Sequence, residues 1–373
     1  MDPGSGGTST FVPVVGGAAG SAGRAGADGT SSGGSSVAGP AGSTGAGAGG
    51  TAGSGGAAGK AGNGGAAPPV CVPAECAAPS ECTAANLCCR PQATGAFGDA
   101  LVGARVSYTL KEADALDIDI DFDTLPAGEP GKSVGMFLYF QATIGGSSAL
   151  WGVQTDLLDG AVWVGRGALF SRLDSSDASN AKVASGGFMT TDAAAKVVGV
   201  RRSFPWGLGV FRLRLARDQT GGSSAGHFFT LSMGSVGDPL TSMGALRFPT
   251  PSDSTPPRIS AGVGAGILLY RQAQKYEEVP LWKLGLKLSA DGVAPASATY
   301  DDGANSFLNA DVSLGPEGLA GRSLVLALGG NTRRCHSPGA LFLADRPGDP
   351  VPAGGAALVG SAGPQLDGLF WRV

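Results

Sequence analysis

The chain has 373 residues, a formal net charge of −4, and 42% hydrophobic against 15% charged residues. Lys and Arg (26) do not outnumber Asp and Glu (30), so the basic surface that nucleic acids require is not expected, and neither is a nucleic-acid partner. No apolar run reaches the roughly 18 residues of a membrane-spanning helix, so no transmembrane segment is predicted.

Residues 1–69 are a Gly/Ala/Ser-rich tract. Gly accounts for 24 of the first 70 residues, and Phe11 is their only aromatic residue. So few apolar side chains cannot offset the backbone entropy lost on folding, about 1–2 kcal/mol per residue. The Gly period slips and Pro is scarce, which disfavours a collagen helix. We therefore predict a disordered stalk.

Residues 70–97 form a Cys-rich segment, and a sixth cysteine lies far downstream. The segment lacks the C-x2-C pairs typical of zinc sites, which favours disulfides. Five cysteines cannot all pair among themselves, so we predict that Cys335 returns to the segment. A free, buried Cys335 is the alternative. The predicted disulfide cysteines are Cys71, Cys76, Cys82, Cys88, Cys89 and Cys335.

Disulfides persist in oxidising compartments, which predicts an extracellular or cell-surface location. No signal peptide is visible near Met1, and we expect the natural N-terminus to lie upstream. A Gly/Ala/Ser stalk in front of a folded head is a layout common among bacterial surface lipoproteins.

Residues 98–335 are patterned as short β-strands. Leu116–Phe122 alternates strictly between apolar residues and Asp, which predicts a half-buried antiparallel strand. The carboxylates of this strand and of Asp123 are therefore expected to lie on a solvated face and not to form a cation site. Val134–Ala142 is apolar throughout, which predicts a central strand. Further predicted strands are Ala149–Thr155, Gly167–Leu173, Val197–Val200, Val210–Ala216, His227–Met233, Leu246–Phe248, Gly266–Arg271, Trp282–Ser289 and Leu324–Gly329.

Turn signals such as Gly145-Gly146 and Asp291-Gly292 separate these strands. Many short strands with Gly-rich turns predict an all-β fold, an antiparallel two-sheet sandwich of the jelly-roll or concanavalin-like type, in one domain. The Gly/Pro-rich tail, residues 336–373, contains two apolar islands, Ala340–Ala344 and Leu369–Val373. These islands either add an edge strand or lie along the surface.

Three short motifs in the head resemble a family of bacterial extracellular domains of unknown function. They are Trp151-Gly-Val-Gln-Thr155, Ala168-Leu-Phe-Ser-Arg-Leu-Asp174, and Phe204-Pro-Trp206 leading into a strand. The resemblance implies a concanavalin- or lectin-like sandwich and an association with carbohydrates, and it implies no catalytic residues. Leu173 stands where the family usually has Trp, which puts part of a ligand platform in doubt.

The candidate ligand-binding residues are Trp163, Trp151, Trp206, Gln154 and Arg166. Apolar faces of sugar rings stack on exposed aromatic rings, while nearby polar groups meet the hydroxyls. A Trp on a sandwich strand more commonly belongs to the core. Trp163 follows a predicted turn at Asp159-Gly160, so it is the best candidate for exposure, with Gln154 and Arg166 as polar neighbours.

A loop near residue 301 is the candidate cation site, since Ca²⁺ prefers oxygen ligands that converge from loops. It lacks EF-hand spacing. No other cofactor is expected. The candidate ligands are Asp301, Asp302, Asn305 and Asp311.

The sequence predicts a non-catalytic module that binds a polysaccharide or a cell-surface glycan. Two alternatives stay open, a glycan-active hydrolase or lyase and a structural envelope protein. A glycosidase needs two carboxyl groups about 5–9 Å apart, and no spacing in the sequence singles out a pair. The acidic residues weighed for this role are Asp156, Asp159, Asp174, Glu277 and Glu278.

Overall fold

The computed structural model describes residues 81–82, 88–96, 102–125, 134–159, 162–220, 225–251, 255–271, 273, 275–301, 308–315, 324–336 and 340–343. All of them belong to one unit, residues 66–373. The predicted stalk (1–69), Cys71 and Cys76 lie outside the described residues.

The described chain is built from strands and two short 3-10 turns, Ala178–Asn180 and Tyr276–Glu278. The strands are β1 (Glu81–Cys82), β2 (Cys88–Cys89), β3 (Val102–Thr109), β4 (Ala115–Thr124), β5 (Gly135–Ile144), β6 (Ser147–Asp159), β7 (Val162–Arg172), β8 (Ala181–Val183), β9 (Gly187–Asp192), β10 (Val197–Ser203), β11 (Gly209–Arg217), β12 (His227–Ser235), β13 (Thr241–Phe248), β14 (Gly262–Arg271), β15 (Trp282–Ala290), β16 (Ser297–Tyr300), β17 (Ala310–Leu314), β18 (Leu324–Leu328) and β19 (Leu341–Leu343).

The strands form two large antiparallel sheets, which confirms the predicted all-β sandwich. One sheet has nine strands in the order β19-β16-β3-β14-β5-β6-β7-β10-β9. The other has eight in the order β17-β18-β15-β4-β11-β12-β13-β8, and β1 pairs with β2 in a small ribbon. The apolar strand β5 lies in the middle of the nine-stranded sheet, as predicted.

The alternation predicted for Leu116–Phe122 is present in β4. Its apolar residues are buried, and the carboxylates lie on the opposite face. There Asp119 pairs with Arg212 and Asp117 with Arg214 across the β4–β11 register. The acidic row is therefore an ion-paired outer face, as period-two geometry requires.

The main core lies between the two sheets and contains inward residues from both. Phe122 stacks on Trp206 with ring centroids 4.7 Å apart, and Trp282 stacks on both rings at 6.5 and 6.3 Å. A second, smaller apolar cluster occupies the other face of the nine-stranded sheet. Its members are Phe137, Tyr139, Leu150, Leu157, Leu169 and Leu268.

The Cys-rich segment is fastened to the end of the chain, because Cys89 forms a disulfide with Cys335 across 246 positions. This confirms the predicted return of Cys335, and Cys88 is disulfide-bonded too. A backbone hydrogen bond joins the same two parts of the chain next to the disulfide, because Arg90 N donates to the carbonyl oxygen of Arg334 at 2.8 Å.

Seven strands were not predicted: β1, β2, β3, β8, β9, β16 and β17. The edge strand β19, Leu341–Leu343, pairs with β16 and lies in the apolar island Ala340–Ala344, where an edge strand was one of the two alternatives. The island Leu369–Val373 lies outside the described residues. In the part of the chain that the structure describes, no helix has the length and apolar character needed to cross a membrane.

Candidate ligand-binding cleft

A cleft of about 460 Å³ opens between the start of β7 and the segment that follows β10. The cleft is shallow and largely open to solvent, so a ligand bound there would keep much of its own surface exposed. It is lined by Val164, Arg166, Ser203, Phe204, Pro205, Trp206 and Gly207.

The chain makes a tight turn at the wall of this cleft. Phe204 N donates to the carbonyl oxygen of Arg166 at 3.0 Å, continuing the β7–β10 pairing by one residue. Trp206 N then donates to the carbonyl oxygen of Phe204 at 2.8 Å. Pro205 between them suits such a turn, since its ring fixes φ and it has no N–H to satisfy.

The turn returns the indole of Trp206 to the core. Its Nε1 donates to the carbonyl oxygen of Gly167 at 3.3 Å, and the ring is almost fully buried. On the cleft side the guanidinium carbon of Arg166 lies 5.2 Å from the ring centroid, and Nη1 donates to the carbonyl oxygen of Trp206 at 3.0 Å. Cation–π stacking and this hydrogen bond together hold the Arg166 plane in place.

Arg166 has no carboxylate partner among the described residues, unlike Arg212 and Arg214 on the other sheet. Its Nε and Nη2 make no hydrogen bond within that part of the chain. The guanidinium is half-buried and keeps donors available to a ligand.

Apolar side chains also lie at the cleft. Val164 lines the cleft and is exposed, and Phe204 is half-buried with its ring edge-on to Phe211 at 6.3 Å. Leu208, which follows the lining segment, is 66% exposed. An apolar wall with one oriented polar group is the usual composition of a small-molecule site.

Two predicted binding residues, Arg166 and Trp206, come together at this cleft. Trp163 is half-buried on β7, next to the lining residue Val164. Trp151 instead lies in the core, fully buried and 6.1 Å from Phe140, so its ring face is not presented to solvent.

Gln154 lies on the outer face of the nine-stranded sheet, opposite Phe137 on β5 and Gly167 on β7. It is 9% exposed, and its amide makes no hydrogen bond with any described residue. It is a neighbour of the second apolar cluster and does not line the cleft.

Ser203, Phe204 and Pro205 were not among the predicted site residues. The Phe204-Pro-Trp206 motif was the signal that could have found two of them. It marks a sharp turn that ends a strand, and such turns commonly carry binding residues.

The candidate calcium ligands that the structure describes do not converge. Asp301 pairs with Arg105 at 3.6 Å at the end of β16. Asp311, in the other sheet, accepts from the backbone N of Cys335 (3.1 Å) and of His336 (2.9 Å). Asp302 and Asn305 lie outside the described residues. Among the described residues no group of three or more His, Cys, Asp or Glu could hold a metal ion.

The acidic residues weighed for hydrolysis mostly have structural contacts. Asp156 is buried and accepts from Gly165 N at 3.0 Å, and Glu278 accepts from Lys275 N. Backbone hydrogen bonding from Gly95 holds the pKa of Glu277 below its ordinary value. At Asp174 burial acts to raise the pKa, but hydrogen bonds from Arg172 and Ser147 outweigh burial and hold the pKa below its ordinary value as well. The general acid of a glycosidase needs a raised pKa, so neither Glu277 nor Asp174 suits that role.

Comparison with known proteins gives little beyond this geometry. No family model and no curated protein matches the chain. The crystal structure of scytalido-glutamic peptidase with a transition state analog inhibitor is similar over 62% of this chain and 99% of that one, with 11% identity and a TM-score of 0.34. The same peptidase with a peptide based transition state analog has a TM-score of 0.32 over the same shares, also with 11% identity.

Proposed function

We propose that the sandwich is a non-catalytic binding module for a carbohydrate, either a polysaccharide or a cell-surface glycan. The observation that carries this proposal is the cleft at Arg166 and Trp206, which combines apolar walls with an oriented guanidinium. Sugar rings have apolar C–H faces that pack on surfaces such as Phe204 and Pro205, and hydroxyls that accept from donors such as Arg166.

A location outside the reducing cytosol belongs to the same proposal. The Cys89–Cys335 disulfide and the disulfide of Cys88 support it, because such bonds persist in oxidising compartments.

A glycan array with the full chain tests the proposal. Phe204→Ala removes an apolar wall of the cleft and should weaken glycan binding roughly 5-fold, since an aromatic contact contributes about 1 kcal/mol. Phe188→Ala is the matched control, because Phe188 is also a half-buried aromatic residue but packs on the second apolar cluster. Absence of binding to every glycan contradicts the proposal and leaves a structural role as the alternative.

Trp163→Ala tests whether Trp163, the residue predicted from the sequence, belongs to the binding site together with the residues that line the cleft. If Trp163 contributes a stacking face next to Val164, the variant weakens binding as Phe204→Ala does. Unchanged affinity in Trp163→Ala, with a loss in Phe204→Ala, restricts the site to the cleft lining.

A further inference from the structure

We propose, on the basis of the function above, that the cleft selects acidic sugars and that Arg166 binds their anionic group, a uronate carboxylate or a sulfate ester. The inference starts from a difference between Arg166 and the arginines of β11. Arg212, Arg214 and Arg217 each pair with an aspartate on or next to β4. Arg202 and Arg247 form no ion pair with a described residue either, but each donates to a backbone carbonyl oxygen outside the cleft lining. Arg166 lines the cleft and forms no ion pair with a described residue.

Partial burial of a charge without a counter-ion is unfavourable, because protein contacts replace part of its hydration. Arg166 is half-buried, and the groups it contacts are the Trp206 ring and one carbonyl oxygen. An anionic ligand would supply the missing counter-charge, and a neutral sugar would not.

The orientation of Arg166 suits such a ligand. Nη1 is engaged by the carbonyl oxygen of Trp206, while Nε and Nη2 make no hydrogen bond to a described residue. Nε and Nη2 together form one side of the guanidinium fork, which binds two oxygens of a carboxylate or sulfate at once. Because stacking on Trp206 fixes the plane beforehand, binding requires little further ordering of the side chain.

None of the seven described residues that line the cleft has an acidic side chain that would repel an anion. The chain as a whole carries a net charge of −4, so long-range attraction of a polyanion is not expected. The preference for an acidic sugar must then come from the local contact with Arg166. The affinity for that sugar should therefore depend on salt concentration as expected for about one ion pair per site.

Two pairs of polysaccharides that differ only in charge test the inference with the full chain. They are polygalacturonate against its methyl ester, for carboxylate, and dextran sulfate against dextran, for sulfate. Affinity gel electrophoresis should show a preference of about 10-fold for the charged member of at least one pair, the size of a charge-assisted contact. The pair that shows the preference identifies the anionic group.

Arg166→Gln should abolish this preference, and Arg166→Lys, which keeps the charge but loses the fork, should retain only part of it. Arg214→Gln is the matched control, because it removes an arginine charge on the other sheet. Melting temperatures establish that each variant is folded.

Gly207→Phe gives a second approach, since Gly207 lines the cleft and no atom lies within 4 Å of an added Cβ. It should obstruct the cleft and reduce binding of charged and neutral members together.

Equal binding of charged and neutral members overturns the inference while the proposed function stands. A preference that persists in Arg166→Gln overturns it also, since the anion is then bound elsewhere, and so does undiminished binding of both members by Gly207→Phe, since the cleft is then not the site. Failure to bind any of these polysaccharides or any arrayed glycan overturns the proposed function and the inference together.

Discussion

Arg166 and Trp206 are 40 positions apart, yet the guanidinium of one lies 5.2 Å above the indole of the other. Trp206 is in turn stacked on Phe122, at 4.7 Å, inside the core. The same indole therefore packs the sandwich on one side and orients the cation of the cleft on the other. Stability and binding should be coupled at this residue.

Trp206→Ala should lower the free energy of unfolding by about 3–5 kcal/mol, as expected when a buried Trp is replaced by a small residue. Urea unfolding followed by circular dichroism measures the loss. Trp163→Ala, at a half-buried position on β7, should cost clearly less. Equal losses in the two variants would mean that Trp206 is not a principal core residue.

The disulfide between Cys89 and Cys335 should be a major contribution to stability, because it closes a loop of 246 positions in the unfolded chain. Replacement of both cysteines by alanine should lower the free energy of unfolding by about 2–5 kcal/mol. Urea titrations with and without reductant measure this loss. If the double variant unfolds at the same urea concentration as the oxidised parent, the disulfide contributes nothing to the free energy of unfolding.

Much of the fold could be predicted because burying one face of a sheet imposes a period of two, and β4 has that period without exception. The unpredicted strands have weaker signals. Ser297–Tyr300 is four residues long and lies between β19 and β3, so its neighbours rather than its own composition determine its structure.

The site was harder to predict than the fold. Arg166 and Trp206 meet because β7 pairs with β10 in the register that places Ser203 opposite Gly167, and no local pattern encodes that pairing. Trp151 was ambiguous for another reason. Its strand is apolar on both faces, since Leu150 packs in the second cluster while Trp151 packs in the main core.

The ion pair between Asp119 and Arg212 is the best-formed contact of the acidic face, with hydrogen bonds of 2.6 and 2.9 Å to the two carboxylate oxygens. Asp119→Asn should lower the free energy of unfolding by about 0.5–1 kcal/mol, the upper range for a partly exposed pair. Asp121→Asn, on the same face of the same strand, is the control and should have little effect.

A double-mutant cycle with Arg212→Gln measures the coupling of this pair directly. The coupling should decrease in about 1 M salt, where the Debye length is only about 3 Å. A coupling that does not respond to salt would indicate packing of the arginine stem rather than charge.

Asp174 should make stability depend on pH in the acid range. Burial works against ionisation there, but hydrogen bonds from Arg172 and Ser147 hold the pKa of Asp174 below its ordinary value of 3.8. The folded state therefore binds this proton less readily than the unfolded state, and ionised Asp174 stabilises the fold at higher pH. That contribution is complete above the ordinary pKa and is lost as the pH falls through the lower, folded value.

Because the side chain of Asp174 is 42% exposed, Asp174→Asn should lower the free energy of unfolding by no more than about 1 kcal/mol at neutral pH. Urea unfolding at neutral pH and near pH 3, roughly the range where Asp titrates, should show parent and variant converging in acid. Asp238→Asn, in an exposed turn, supplies the control. A difference that stays constant across this range would assign the loss to the amide's packing and not to the charge of Asp174.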